Sequence, residues 1–420
     1  MNTDFSGYEY LQIDVANNAP LDLDKIPYPE RIAWTTSHND DLEEIGKTSS
    51  PWKEKPLYTK AVMALRKTQK GLPTGHMMHF DAVCSGAQIA SALTGCVSGS
   101  TATGLVNPNV RADLYTDVQK RMGDILGRNM SDSRKDVKLA VMSALYGSKA
   151  EPRALFGDET PELEAFNKAL FEIATGASLL LEMLISSWQP DALEHKWVLP
   201  DGFVSKIKVM VPKTTRIEVD ELDHSTFTYA YEDNEPTEHG LSLAANVIHS
   251  CDAYLLRSVI RRCSYDAQRV TVLNSAITYE LLERELGVEP ANFSGVDESL
   301  DYYIHLYATT GLVDTVVIPY LDENLITILP TDYLTKLNSI LEMMLEQRSF
   351  PVITVHDSFA AHPNNLNVLR NHYRNVLADM AESSMLSDIL SQINGRPITV
   401  NKLSVGLPAF LEQTVKEKAR

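Results

Sequence analysis

Two aspartates sit where strands should end. Phe80-Asp81-Ala82-Val83-Cys84-Ser85-Gly86 places a carboxylate after an apolar run and before a small-residue turn. Val355-His356-Asp357-Ser358 places a second at the tip of a β-branched hairpin. On adjacent strand ends, two such carboxylates can hold two divalent cations ~3.5–4 Å apart, an arrangement suited to in-line displacement at phosphorus. Mg2+ fits because it takes few carboxylates and fills its shell with phosphate oxygens and water. Read alone, each Asp is also an ordinary turn or cap residue.

A second set lies between them. Arg134, Lys138, Met142 and Tyr146 recur at steps of four. On a helix they form one slowly drifting face, ~18 Å from end to end. Two cations a turn apart suit a triphosphate, Arg by its planar fork and Lys as a point charge. Tyr146-Gly147 puts a hydroxyl at the helix end, where it can meet a sugar. A solvated basic stripe with a capping Gly is the plain alternative. His249, in Asn246-Val-Ile-His-Ser-Cys-Asp252, follows an apolar run and precedes what reads as a polar turn. It is either a site residue or a satisfied core histidine, and His356 is either a metal neighbour or a packing residue.

These residues need elements to hold them. Residues 76–80 and 351–361 read as a short strand and a strand–turn–strand unit. Asn107-Pro108 reads as a cap and first turn, followed by an i+4 apolar series Val110, Leu114, Val118, Met122, Leu126. Ser131 or Ser133 starts the basic helix, which ends at Gly147; Val137, Val141, Ala144 and Leu145 face the core. Thr160-Pro161 starts a long helix that should stop near Pro190. Trp197–Val204 reads as a turn between strands, and the C-terminal region as mostly helical. Residues 20–60, with five prolines, read as irregular with short helices.

Composition sets the outer bounds. The chain has 420 residues, is 44% hydrophobic and 22% charged, and shows no repeat or low-complexity tract. This is ordinary globular composition, compatible with several domains or one large enzyme core. No apolar stretch approaches the ~20 residues of a membrane span, and Met1–Tyr10 lacks the features of a secretory signal. The four cysteines form no C-x-x-C pair, so a zinc site or disulfide framework is not expected and a cytoplasmic location is. The P-loop, zincin and nucleophile-elbow motifs are absent. The net charge is -18, which argues against general polyanion binding. Its distribution is uneven. Residues 217–238 carry 8 acids and no Lys or Arg, whereas residues 111–153 carry 9 Lys/Arg against 6 acids.

In order, F-D-A-V-C-S-G-A-Q from Phe80, R-K-D-V-K-L-A-V-M-S-A-L-Y-G-S-K from Arg134, V-I-H-S-C-D-A from Val247 and V-H-D-S-F from Val355 resemble the single-subunit RNA polymerase family of bacteriophages and mitochondria. Asp24–Arg31, Trp197–Phe203 and the 107–126 segment match less specifically. The resemblance implies an α+β fold, a right-hand polymerase palm and fingers, mostly helical around a small antiparallel palm sheet. It divides the chain into 1–130, with the first part of the palm, 131–245, the fingers with the NTP-binding helix, and 246–420, the rest of the palm and C-terminal helices. Asp81 and Asp357 match the metal-binding aspartates, and Ala82 a carbonyl that faces a metal. Arg134 and Lys138 match the residues that hold NTP phosphates, with Lys138 as proton donor to pyrophosphate. Tyr146 and His249 match the pair that senses the ribose 2′-hydroxyl, and His356 the histidine beside the second metal aspartate.

The implied function is DNA-directed RNA synthesis with two Mg2+ ions, from NTPs, a DNA template and an RNA 3′ end. A DNA polymerase or primase on the same palm would carry H-D-E at the hairpin and an aromatic at Met142; a non-catalytic scaffold subunit is the other alternative. The family's N-terminal promoter-binding domain, thumb and D-x-x-G-R motif have no match. The expectation is therefore the C-terminal subunit of a split, two-subunit bacteriophage enzyme, with a truncated chain as the alternative. A second subunit carrying the N-terminal half is the expected partner, with a single-strand DNA-binding or promoter-targeting protein besides and no membrane. Between Asp252 and His356 lie 103 residues, more than the family uses, which reads as an inserted subdomain at about 264–345. Leu255 stands where the family has a histidine.

Overall fold

The computed structural model describes residues 4–47, 52–106, 112–130, 133–289, 298–407 and 411. Helix α1 (Gly7–Asn17) opens with a capping box: Ser6 Oγ accepts the Glu9 N–H at 3.2 Å, and the Glu9 carboxylate accepts the Ser6 N–H at 2.7 Å. It is buried on two sides. Tyr10 and Ile13 enter the main core, while Leu11 and Val15 pack in a smaller one with Leu42, Tyr58 and Leu65. That smaller core holds α2 (Tyr28–Ser37), α3 (Leu42–Lys47) and α4 (Lys55–Gln69) around α1.

Strand β1 (Met78–Asp81) leads into α5 (Ser85–Thr94) and α6 (Val97–Ala102). Helix α7 (Leu114–Leu126) starts at Asp113, whose side chain accepts the Thr116 N–H, and ends at Gly127 with φ 65°. Leu114, Val118 and Met122 are its buried stripe; Asn107, Pro108 and Val110 lie outside the described residues. Helix α8 (Arg134–Ala144) follows Ser133, with Val137 and Val141 buried; Ser131 lies outside the described residues. Then come α9 (Ala150–Phe156), α10 (Pro161–Ile173) and α11 (Thr175–Ser186).

The long helix expected from Thr160 is therefore two, meeting at 103°. The cause is a close approach. The Gly176 N–H donates to Cys96 Sγ at 3.2 Å, and a Cβ at Gly176 would lie 2.4 Å from Cys96 Cβ and 2.2 Å from Thr94 Oγ1. Only a glycine lets α11 turn against the end of α5. Among the described residues, no single helix is long and apolar enough to cross a membrane.

Two hairpins follow, β2 (Glu194–Val198) with β3 (Val204–Lys208) and β4 (Met210–Val219) with β5 (Ser225–Asn234). The first packs Trp197 into the core; the second is a ribbon exposed along most of both strands. Helix α12 (Ser242–Cys263) runs unbroken through the expected polar turn at His249–Asp252. Leu243, Val247, Cys251, Tyr254, Leu255 and Ser258 recur at helical spacing and are fully buried, which holds the helix through the polar residues.

Helices α13 (Ala267–Glu285), α14 (Glu298–Thr310), α15 (Glu323–Ile326) and α16 (Thr331–Leu345) share a separate core, with Leu273, Ile277, Leu300, Leu334 and Leu341. The chain leaves and rejoins the body at one place. The Phe350 N–H donates to the Cys263 carbonyl at 2.9 Å and the Tyr265 N–H to Ser349 Oγ at 2.9 Å. Strands β6 (Ile353–Val355) and β7 (Ser358–Ala361) complete a three-stranded antiparallel sheet in the order β1-β7-β6. Helices α17 (Leu366–Glu382) and α18 (Met385–Asn394) close the main core, in which α17 packs on α5 and α12. The result is an α+β protein, mainly helical, with small antiparallel sheets.

His372 on α17 is 2% exposed, and neither ring nitrogen has a hydrogen-bond partner among the described residues. Burial, with the nearby Arg262 charge, pulls its pKa down to about 3. The unfolded chain therefore takes up a proton below about 6.5 that the fold refuses, so stability falls as pH drops through that window. Between pH 7 and 4.5, His372→Leu should lose about 2–3 kcal/mol less stability than the parent chain, measured by urea unfolding. Equal losses would mean that His372 is hydrated in the folded state.

Candidate functional site

Pairing of β1 with β7 sets Asp81 opposite Ser358 and Phe80 opposite Phe359. Asp81 is thereby the neighbour of the His356-Asp357 turn, and the Ala82 N–H reaches the Asp357 carbonyl at 3.4 Å. His356 has φ 55°, a left-handed conformation unusual outside glycine, and lets two residues reverse the chain. Asp81 and His356 are exposed and Asp357 is half-buried. Among the described residues, neither the Asp81 nor the Asp357 carboxylate has a hydrogen-bond or ion-pair partner. Two neighbouring carboxylates with no donor are a set that a divalent cation would complete.

Above this edge lies a cavity of about 360 Å³. Asp81, Ala82 and Asp357 line it on one side, and Lys138, Met142 and Tyr146 on the other. Lys138 on α8 and Tyr146, in the turn that follows it where a helix to Gly147 was expected, thus share one cavity with the aspartates. Lys138 Nζ stands 5.4 Å from the Tyr115 ring centroid, and Tyr115 in turn interacts with the Cys84 thiol. Tyr146 packs on His249, ring centroids 5.0 Å apart. Burial, with the charges of Asp252 and Asp357, raises the Tyr146 pKa, so its hydroxyl remains a donor. Gly86 keeps room for it: a Cβ there would be 3.2 Å from Tyr146 Oη.

Arg134 sits apart from Lys138. It lines an adjoining cavity of about 880 Å³ that also reaches Asp81 and Ala82. Its Nη2 and Nε donate to Asp113 Oδ2 at 2.6 and 3.2 Å, and its Nε also to Thr116 Oγ1 at 3.0 Å. Burial would raise the Asp113 pKa, but Arg134 and Thr116 bring it below its usual range. Asp113 therefore aims the guanidinium from the start of α7. His249 and His356 flank the smaller cavity without lining it.

Sequence reasoning missed Asp252. The continuous α12 carries it toward Ser85 and the Asp357 turn, where burial and the Asp357 charge push its pKa up to about 6, against Ser85 and His356. The signal was its position four residues after Ile248, which lines the cavity, hidden by the expectation of a turn. Tyr115 was missed too, since only the apolar stripe of α7 was legible. The one cluster of three ligand-type side chains among the described residues, Glu218, Asp220 and His224, lies instead at the exposed tip of the β4–β5 ribbon. There the His224 ring meets both carboxylates, at 2.8 and 3.3 Å, as a solvated turn network.

The model of the DNA-dependent RNA polymerase family matches residues 2–152, which include Asp81 and α8. A mitochondrial DNA-directed RNA polymerase of Arabidopsis thaliana is 28% identical over 172 residues, 34% of this chain and 18% of that protein. The DNA-directed RNA polymerase of Pseudomonas phage phiKMV is 24% identical over 316 residues, 61% of this chain and 38% of that protein. The chain thus spans about a fifth to two fifths of the length of these relatives.

The raised pKa of Asp252 has a sign. The fold retains a proton that the unfolded chain loses near pH 4, so stability declines as pH rises from about 4 to 6 and the penalty persists above. In metal-free buffer at pH 7.5, Asp252→Asn should gain about 1–2 kcal/mol in chemical unfolding, and close to nothing at pH 4. The same gain at both values would show that burial of the carboxylate is not its cause.

Proposed function

We propose that this chain, similar to the DNA-directed RNA polymerases of phages and mitochondria, is the catalytic part of such an enzyme. It would join NTPs to an RNA 3′ end on a DNA template, with release of pyrophosphate. The observation that carries this reading is the pair of unpartnered carboxylates, Asp81 and Asp357, facing Lys138 and Tyr146 across one cavity. Residues 1–130 and 246–420 would then form the palm and 131–245 the fingers. The separate core of α13–α16 supports reading about 264–345 as an insertion.

Asp81, Asp357 and the Ala82 carbonyl would hold two Mg2+ ions, which when bound supply Lewis acidity for the 3′-hydroxyl and the developing phosphate charge. Lys138 binds the triphosphate and gives a proton to the pyrophosphate as it leaves. Arg134 forks onto phosphate oxygens from its seat on Asp113. Tyr146, steadied by His249 and by the space at Gly86, offers its hydroxyl to the ribose 2′-hydroxyl, which a deoxynucleotide lacks. His356 shapes the turn that presents Asp357. The remaining length of the relatives would be supplied by a second subunit, with a single-strand DNA-binding or promoter-targeting protein as a further partner, in the cytoplasm of a bacterial host. DNA or primer synthesis on the same palm is less favoured, because Met142 and Ser358 stand where those enzymes differ.

Extension of an RNA primer on a DNA template with Mg2+ and NTPs tests this. Asp81→Asn or Asp357→Asn should lower extension by at least about a thousandfold. Tyr146→Phe should keep extension and lose discrimination against dNTPs. Undiminished extension by Asp81→Asn would end the catalytic reading.

A further inference from the structure

The larger cavity extends from Asp81, Ala82 and Ser358 to Phe5 and Tyr28, with Arg370, Tyr373 and Arg374 of α17 on its wall. Arg370 is held in place. Its Nη1 donates to Tyr10 Oη at 3.0 Å, and its guanidinium lies 5.5 Å from the Phe80 ring centroid and 5.9 Å from that of Tyr28. Arg374 comes one turn later. It has no hydrogen-bond or ion-pair partner among the described residues, and its Nη1 is buried and unpaired.

Two like charges four residues apart repel. Burial and Arg370 together pull the Arg374 pKa down to about 10, against the influence of Tyr10, Asp4 and Tyr28. Of the acids that line the same cavity, none has a hydrogen bond or ion pair to Arg374 among the described residues. Asp14 bonds His76 at 2.7 Å and Asp113 bonds Arg134 at 2.6 Å, while Asp24 lies beside Arg31, to which its carbonyl is bonded. A guanidinium withdrawn from water without an anion costs stability unless a ligand supplies the anion.

We propose that Arg374 is a phosphate-binding residue for the RNA strand whose 3′ end lies at Asp81, with Arg370 fixing its position. The inference rests on the polymerase reading above. Position favours this ligand over the incoming NTP: Arg374 is on α17, whereas the triphosphate set, Arg134 and Lys138, is on α8. The aromatic rings of Phe80 and Tyr28 beside Arg370 are the surface on which a single strand's bases can stack.

The test compares the parent chain with Arg374→Gln and Arg374→Lys, using a short fluorescent RNA annealed to a DNA template. Arg374→Gln should weaken scaffold binding about tenfold and reduce its salt slope by about one. The KM for NTPs should not change, and Arg374→Lys should recover part of the loss. A neutral methylphosphonate at the contacted RNA position should erase the difference between parent and Gln variant; erasure only by a neutral template position would overturn the RNA assignment. Without oligonucleotide, Arg374→Gln should melt at the same temperature or higher. A lower melting temperature with unchanged scaffold affinity would make Arg374 structural and overturn the proposal, as would a change confined to the KM for NTPs. If the parent extends RNA and the variant binds it equally well, the subsite alone is lost. If the parent neither binds nor extends, the polymerase reading falls with it.

Discussion

Four residue pairs between β1 and β7 decide where everything else must go. They join a strand from the first fifth of the chain to one from its last fifth, and their register alone makes Asp81 the neighbour of Asp357. A slip of one residue would turn every side chain of β1 to the opposite face. The buried Phe359, Ala360 and Ala361 of β7 resist such a slip, because their apolar contacts exist in one register only. Helices α5 and α17 grow directly from these two strands, and α12 packs on both of them. The main core is thus also the mount of the site.

The site is built from charge left unbalanced. Asp81, Asp357 and Asp252 gather on one side, and burial together with the Asp357 charge raises the Asp252 pKa. Among the described residues, Lys138 and Arg374 have no carboxylate partner. A chain of net charge -18 can therefore still present cations where phosphate would arrive. Two opposed sets that do not pair with each other within the protein are complementary to a metal–phosphate group, which brings both signs at once.

Much of this was legible where chemistry is local. The β-branched run before His356 and the small-residue turn after Asp81 announced strand ends, and the steps of four from Arg134 to Tyr146 announced a shared face. What was not legible is what tertiary packing decides. The break between α10 and α11 depends on Gly176 meeting Cys96, eighty residues away in sequence. The run His249-Ser250-Cys251-Asp252 reads as a turn by composition, yet Cys251 and Tyr254 keep it helical from the buried side. That difference hid Asp252. The engagement of Arg134 by Asp113 was likewise invisible, since neither residue type announces the other.

The excursion through α13–α16 departs after Cys263 and returns at Phe350, and those two residues are hydrogen-bonded to each other. A chain that closes its own bracket in this way imposes no length on what lies inside. Residues can be gained or lost between the two brackets while α12 and β6 keep their places. The sequence distance from His249 to Asp357 can therefore change while their distance in space does not. In such a protein, descent is read in the junctions and in the short segments they keep in register, and chain length is a poor record of kinship.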